Sequence, residues 1–140
     1  MGSMSFQLPD PLTEAAAAAL GEARVAGAGY QDHIPCPALV AVADGLLTIT
    51  RPDDESGFLA VPWAVPGFGA PVVSSATLRE RAEPYRLLVE LARGKLNQVR
   101  TQLADWQAIG LSARPGFEAA VVSATRALGQ ALLAPTPAEA

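Results

Sequence analysis

The sequence predicts an α+β fold: a small antiparallel sheet of four to five strands packed against a C-terminal antiparallel helical hairpin, with a short N-terminal helix. Between residues 22 and 78, apolar residues come in short runs separated by Gly and Pro, which is typical of strands and turns. From residue 83 they recur every three or four positions, which is typical of amphipathic helices. Because the two patterns are segregated along the chain, they favour α+β over alternating units.

Residues 1–10 are interpreted as an expression-tag remnant and flexible leader, because Met1-Gly2-Ser3 precedes a second methionine, Met4. Asp10 is the expected N-cap of the short helix, with Pro11 at its first position. An alanine-rich run at residues 15–20 continues it, and Gly21 ends it. We therefore expect a single domain over residues 11–134, with residues 135–140 as a linker or tail.

The strands are predicted from apolar runs and turn residues. Residues 38–42 and 46–50 flank Asp44-Gly45, the strongest short-range signal for a β-hairpin. Further strand candidates are residues 58–61, residues 71–75 and, at the sheet edge, residues 25–30.

The helical hairpin is predicted over residues 83–134. Glu83 and Pro84 begin a long helix that Gly110 ends, and a second helix begins near Phe117 and ends before Pro135. The six-residue connection between them favours antiparallel packing. The apolar stripe expected to cover the sheet consists of Tyr85, Leu88, Ala92, Leu96, Val99, Leu103 and Trp106.

Composition excludes several classes of function. With 140 residues the chain is too short for a (β/α)8 barrel, which needs about 250. A net charge of −4 argues against nucleic-acid binding. No apolar run is long enough for a membrane span, and one Cys and one His do not form a metal cage within one chain. We expect no catalytic residue, metal or cofactor. Localisation stays open: cytoplasmic as written, secreted if a native signal was trimmed.

The long helix carries a polar stripe of Glu90, Arg93, Asn97 and Arg100, spaced by three, four and three residues. A solvated helix face would look much the same. Gly94, in the middle, costs about 1 kcal/mol relative to alanine, which indicates that something approaches the backbone closely there. The sharper interpretation is that this stripe meets a polar ligand or another domain.

Aromatic side chains are scarce, at 6%. Trp63 at a strand end and Tyr30 are candidates for stacking on a sugar ring, although burial is the commoner fate of a lone tryptophan. Asp32, His33 and Cys36 bring a carboxylate, a base and a nucleophile into one loop. A turn with a buried cysteine accounts better for them than catalysis does.

Two stretches carry a resemblance to a known family. Residues 55–63 and residues 84–106, which include the run Glu90-Leu91-Ala92-Arg93-Gly94, resemble the N-terminal region that precedes the catalytic barrel in bacterial proteins similar to family-10 glycoside hydrolases, the xylanase family. The resemblance implies an accessory module that binds carbohydrate or docks the barrel. It assigns no catalytic role, because the paired glutamates of that family belong to the barrel.

The sequence thus favours a non-catalytic accessory domain that binds polysaccharide. Its ligand-binding residues would be Trp63, Tyr30, Glu90, Arg93 and Asn97. The alternative is a protein–protein interaction or self-assembly domain that docks through its helical hairpin, with homo-oligomerisation as one form. The discriminating feature is whether Trp63 and Arg93 share an exposed concave surface, or whether the hairpin exposes a wide apolar face.

Overall fold

A computed structural model describes residues 1–27 and 35–135. Over these residues the chain forms eight strands and three helices, which confirms the α+β class. The strands are β1 (Gly2–Gln7), β2 (Arg24–Gly27), β3 (Pro35–Cys36), β4 (Leu39–Ala43), β5 (Leu46–Arg51), β6 (Gly57–Pro62), β7 (Val72–Ser74) and β8 (Tyr85–Arg86). The helices are α1 (Glu14–Gly21), α2 (Leu87–Ala108) and α3 (Phe117–Leu133).

The chain divides into two compact units, residues 1–94 and residues 95–140. The boundary between these units falls inside α2, and the single domain over residues 11–134 stays a prediction. Of the predicted tail at residues 135–140, only Pro135 lies within the described residues.

The first unit contains two four-stranded sheets, in the orders β4-β5-β1-β8 and β3-β2-β6-β7, where a single sheet was expected. The pairing is antiparallel except between β1 and β8, which are parallel. β2, predicted at an edge, lies between β3 and β6. Sequence reasoning missed β3 and β8 because each is only two residues long.

The interpretation of residues 1–10 as a flexible leader is wrong for residues 2–7. They form β1, which pairs with β5 over its whole length, from Gly2 opposite Arg51 to Gln7 opposite Leu46. Met4 and Phe6 are buried in the core. Alternate burial along Gly2–Gln7 follows the two-residue period of a strand, so this segment is part of the fold.

The predicted hairpin is confirmed as β4 and β5, joined at Asp44-Gly45. Asp44 has φ 51° and Gly45 has φ 74°. Positive φ at both central residues is the geometry of a type I′ turn, which matches the twist of the flanking strands. The turn chemistry was therefore sufficient to place these two strands.

The α1 helix begins later than predicted. Its N-cap is Thr13, whose side chain accepts a hydrogen bond from the backbone N–H of Ala16 at 3.2 Å. The Asp10-Pro11 pair lies upstream of the helix. Leu20 is the large apolar side chain that α1 buries.

One hydrophobic core holds the first unit together. It draws on both sheets, on α1 and on the first turns of α2. Alternating positions of β5 and β6 point inward, as the strand period requires. The large buried side chains are Phe6, Leu20, Leu47, Ile49, Arg51, Leu59, Val61, Leu78 and Leu87.

The register of α2 differs from the prediction. Tyr85 and Arg86 form β8, so the helix begins at Leu87 and not at Glu83. The buried side chains of α2 are Leu87, Glu90 and Leu91. Of the predicted stripe, Tyr85 is buried, whereas Leu88, Ala92 and Trp106 are exposed. The stripe was misplaced because apolar residues occupy several faces of this helix.

The second unit contains the rest of α2, the connection and α3. The end of α2 before Gly110 and the span of α3 before Pro135 agree with the predicted hairpin. Gln107 Nε2 donates a hydrogen bond to Glu118 Oε1 at 2.7 Å, near the connection. No residue between 95 and 135 is buried, whereas the sequence predicted that the hairpin would supply a core stripe. The buried apolar core of the described chain therefore lies entirely in residues 1–94.

Candidate functional site

Of the two aromatic candidates, Trp63 and Tyr30, the structure describes only Trp63. Trp63 follows β6 and is partly buried against the core, and its backbone N–H donates to the Pro71 carbonyl at 2.9 Å. Phe68, in the connection between β6 and β7, is 83% exposed. The turn carrying it is closed by the Val65 N–H, which donates to the Gly69 carbonyl at 2.7 Å. Tyr30 lies outside the described residues, as do Asp32 and His33.

The polar stripe does not behave as one surface. Glu90 is buried, and its Oε2 accepts a hydrogen bond from Arg93 Nε at 2.8 Å. Arg93 Nη2 lies 2.5 Å from the same oxygen, which makes an i, i+3 ion pair. Asn97 and Arg100 are exposed and belong to the second unit. Because the Glu90 carboxylate is buried and paired, it has little capacity left for a ligand.

Gly94 is explained by packing within the first unit. A β-carbon at this position would lie 2.6 Å from Ala76 N and closer still to Ser74 O. The close approach predicted from the glycine is therefore confirmed, and its partner is the main chain from Ser74, the last residue of β7, to Ala76. Glu90 and Leu91, the buried residues one turn before Gly94, lie on the same face of the helix as this contact.

A buried charge cluster at the end of β5 was missed by sequence reasoning. The Arg51 side chain has no exposed surface; its Nη1 lies 3.3 Å from Asp53 Oδ1 and its Nη2 lies 3.8 Å from Glu80 Oε1. Arg51 Nη2 also donates to the Glu55 carbonyl. The alternation Leu47, Ile49, Arg51 was the available signal, since it places residue 51 on the inward face.

This cluster is best understood as structural. Arg51 Nε, Arg51 Nη1 and Glu80 Oε1 are buried without a hydrogen-bond partner among the described residues. A β-carbon at Gly2 would overlap the Asp53 carbonyl oxygen, which is main chain, and would also overlap Glu80 Oε1, so glycine is required where β1 passes the cluster. The arginine thus ties β5 to the loops bearing Asp53 and Glu80.

The described residues contain no group of three or more His, Cys, Asp or Glu side chains that could hold a metal ion. Cys36 lies partly buried in β3, packed against the core. Among the described helices, none is long and apolar enough to cross a membrane.

The surface of the second unit is the most unusual feature of the molecule. α3 contains two charged residues in 17, Glu118 and Arg126. Large apolar side chains are exposed along the whole hairpin; Trp106 near the end of α2 is 45% exposed, and Leu133 at the end of α3 is 87% exposed. The other exposed large apolar residues here are Ile109, Leu111, Phe117, Val122 and Leu132. So many exposed large apolar side chains in one short segment are typical of interaction sites.

α2 and α3 also border a groove of about 390 Å³, lined by Arg100, Val121, Val122, Thr125 and Arg126. Thr125 Oγ1 donates to the Val121 carbonyl within α3 at 2.8 Å. No carboxylate of the described residues pairs with Arg100 or Arg126. The groove therefore combines an apolar floor with two unpaired cations.

Comparison of the chain with protein-family models, with curated proteins and with solved structures finds no match in any of the three.

Proposed function

We propose that this chain is a non-catalytic interaction domain that docks onto a protein surface through the helical hairpin of residues 95–133. The observation that carries the proposal is the absence of any buried residue between 95 and 135. Helices in proteins owe most of their stability to packing of an apolar face, and two helices alone bury little of it. A surface holding Trp106, Val122 and Leu133 gains most when a partner covers it.

Photo-crosslinking in cells that express the chain tests this proposal. A photoreactive amino acid is placed at Trp106 or Val122 in the hairpin, and at Phe68 as the control, because Phe68 is an exposed apolar residue of the first unit. We expect protein adducts at positions 106 and 122, and none above background at position 68. Adducts restricted to position 68, or none at any position, would contradict the proposal.

A second candidate is polysaccharide binding by an accessory module of a glycoside-hydrolase-like protein, as the resemblance of residues 55–63 and 84–106 implies. The observation that favours it is that the β6–β7 connection carries two accessible aromatic residues: Phe68 is exposed and Trp63 is partly exposed. Aromatic faces pack well against the apolar faces of sugar rings. Glu90 is no longer part of this candidate, because its carboxylate is buried against Arg93.

Affinity for insoluble and soluble polysaccharides tests the second candidate. We expect retention on xylan or a related glycan that Phe68→Ala and Trp63→Ala each reduce at least tenfold. Leu133→Ala, which removes an exposed apolar side chain from the second unit, is the matched control and should leave retention unchanged. A flat response across the panel would exclude this candidate and leave the docking function unaffected.

A further inference from the structure

We propose that the partner of the hairpin is a second copy of this chain, paired antiparallel about a two-fold axis that passes near Val122. This inference rests on the proposed docking function and specifies its occupant. The observation that carries it is the stripe Glu118, Val122, Arg126 on α3. An acidic and a basic side chain lie four residues before and four residues after a central valine.

The spacing of the stripe fixes the geometry. Steps of four residues keep the three side chains on one face of the helix, since each step advances the angle by only about 40°. Glu118 and Arg126 each lie about 6 Å along the axis from Val122, on opposite sides. An antiparallel copy centred on Val122 therefore places each Glu118 opposite the Arg126 of the other copy. Such a contact is isologous, as two-fold symmetry requires.

The surroundings of the stripe fit this pairing. Val122 is 58% exposed, so an apolar side chain is available at the centre. Arg126 and Arg100 flank the groove beside it, with no ion pair to a described carboxylate. In the paired arrangement the carboxylate of the second copy enters between these two guanidinium groups. Four helices around one apolar centre give the geometry of a four-helix bundle, which two hairpins complete.

A parallel arrangement lacks this complementarity. It would place Glu118 opposite Glu118 and Arg126 opposite Arg126, and like charges directly opposite one another repel. A partner of other chemistry would need to supply its own acidic group at the groove. This chain already holds such an acidic group, Glu118, which lies as far from Val122 as Arg126 does. This equal spacing favours a second copy as the partner.

Sedimentation velocity over a range of concentrations tests the proposal, with far-ultraviolet circular dichroism confirming that each variant keeps its helix content. We expect the wild-type chain to form a dimer whose dissociation constant rises with salt, because exposed ion pairs are screened. Arg126→Glu and Glu118→Arg should each weaken the dimer about tenfold, since symmetry makes each change act twice.

The decisive measurement combines the two charge reversals, Arg126→Glu and Glu118→Arg, first in a mixture of two chains and then in one chain. An equimolar mixture of the Arg126→Glu chain and the Glu118→Arg chain should form a heterodimer, and the chain carrying both changes should regain the homodimer. Arg24→Glu and Arg79→Glu, exposed positions of the first unit, are the charge-matched controls and should leave the dissociation constant unchanged.

The other outcomes separate this proposal from the docking function. A monomer at every concentration would overturn the second-copy proposal, while crosslinks at Val122 to another protein would still support docking. A dimer that Val122→Asp abolishes, but that neither charge reversal weakens, would overturn the antiparallel arrangement alone. The antiparallel arrangement would also be overturned if both single variants lost the dimer and neither their mixture nor the double variant restored it.

Discussion

Gly94 of α2 lies against the main chain of Ser74, so close that a β-carbon at position 94 would overlap the Ser74 carbonyl oxygen. The contact joins the first turns of α2 to the end of β7 and the residues that follow it. Nearby, Ser75 Oγ accepts a hydrogen bond from the Leu59 N–H at 3.0 Å, which ties the same segment to β6. The glycine therefore marks where the helix meets the sheet of the first unit.

Gly94→Ala should destabilise the first unit by about 2 kcal/mol, because backbone atoms must move to admit the methyl group. Urea denaturation followed by Trp63 fluorescence, in a Trp106→Phe background, measures this. Gly129→Ala in α3 is the matched control: nothing lies within 4 Å of a β-carbon there. That change should be neutral or stabilising by up to about 1 kcal/mol. Equal effects of the two changes would contradict the packing argument.

Arg51→Ala should lower the free energy of unfolding by about 3 kcal/mol, because it leaves a cavity and removes the cation that faces Glu80. Arg51→Met, which keeps the methylene groups, should cost less. Asp53→Asn is the comparison within the same cluster: its side chain is half exposed, so we expect a loss below about 1 kcal/mol. The three values come from equilibrium urea denaturation, and similar losses for Arg51→Ala and Asp53→Asn would refute a structural role for the arginine.

The Glu90–Arg93 ion pair should show a coupling energy of about 1 kcal/mol in a double-mutant cycle built from Glu90→Met and Arg93→Met. Either single change leaves a partly buried charge unpaired, whereas the double variant leaves none. The Glu22–Arg24 pair is the control, since both side chains are more than half exposed and lie 3.5 Å apart. Its coupling should be close to zero. A coupling for Glu90–Arg93 no larger than that of the control would argue against a structural pair.

Amide hydrogen exchange should separate the two units. At micromolar concentration, amides of α3 should exchange through local opening, because none of its residues is buried. Amides of β5, which pairs with both β1 and β4, should exchange only through global unfolding. If the hairpin docks onto a second copy, protection of α3 should rise with protein concentration while that of β5 stays constant. Protection of α3 equal to that of β5 at the lowest concentration would count against an open hairpin.

Local chemistry determined much of the secondary structure. Asp44-Gly45 placed the β4–β5 hairpin, because Asp-Gly is one of the few residue pairs that readily adopt positive φ at two adjacent positions. Gly110 and Pro135 bracketed the ends of the helices. Gly94 indicated a close backbone contact, because glycine inside a helix costs stability relative to alanine and is expected where a neighbouring segment leaves no room for a β-carbon. These features depend on a few neighbouring residues, and the sequence alone revealed them.

The assembly of those elements depended on long-range contacts. β1 was taken for a leader because Met1-Gly2-Ser3 precedes a second methionine, and a short segment of this kind becomes a strand only when a distant strand, here β5, pairs with it. The inward position of Arg51 and the burial of Glu90 follow from sheet pairing and from the rotation of α2, which apolar periodicity left ambiguous. The sequence by itself determined the hairpins, the helices and the α+β class. Only the tertiary structure decided which faces are buried, and it placed the core in the first unit and left the helical hairpin exposed, because burial depends on which distant segments pack together.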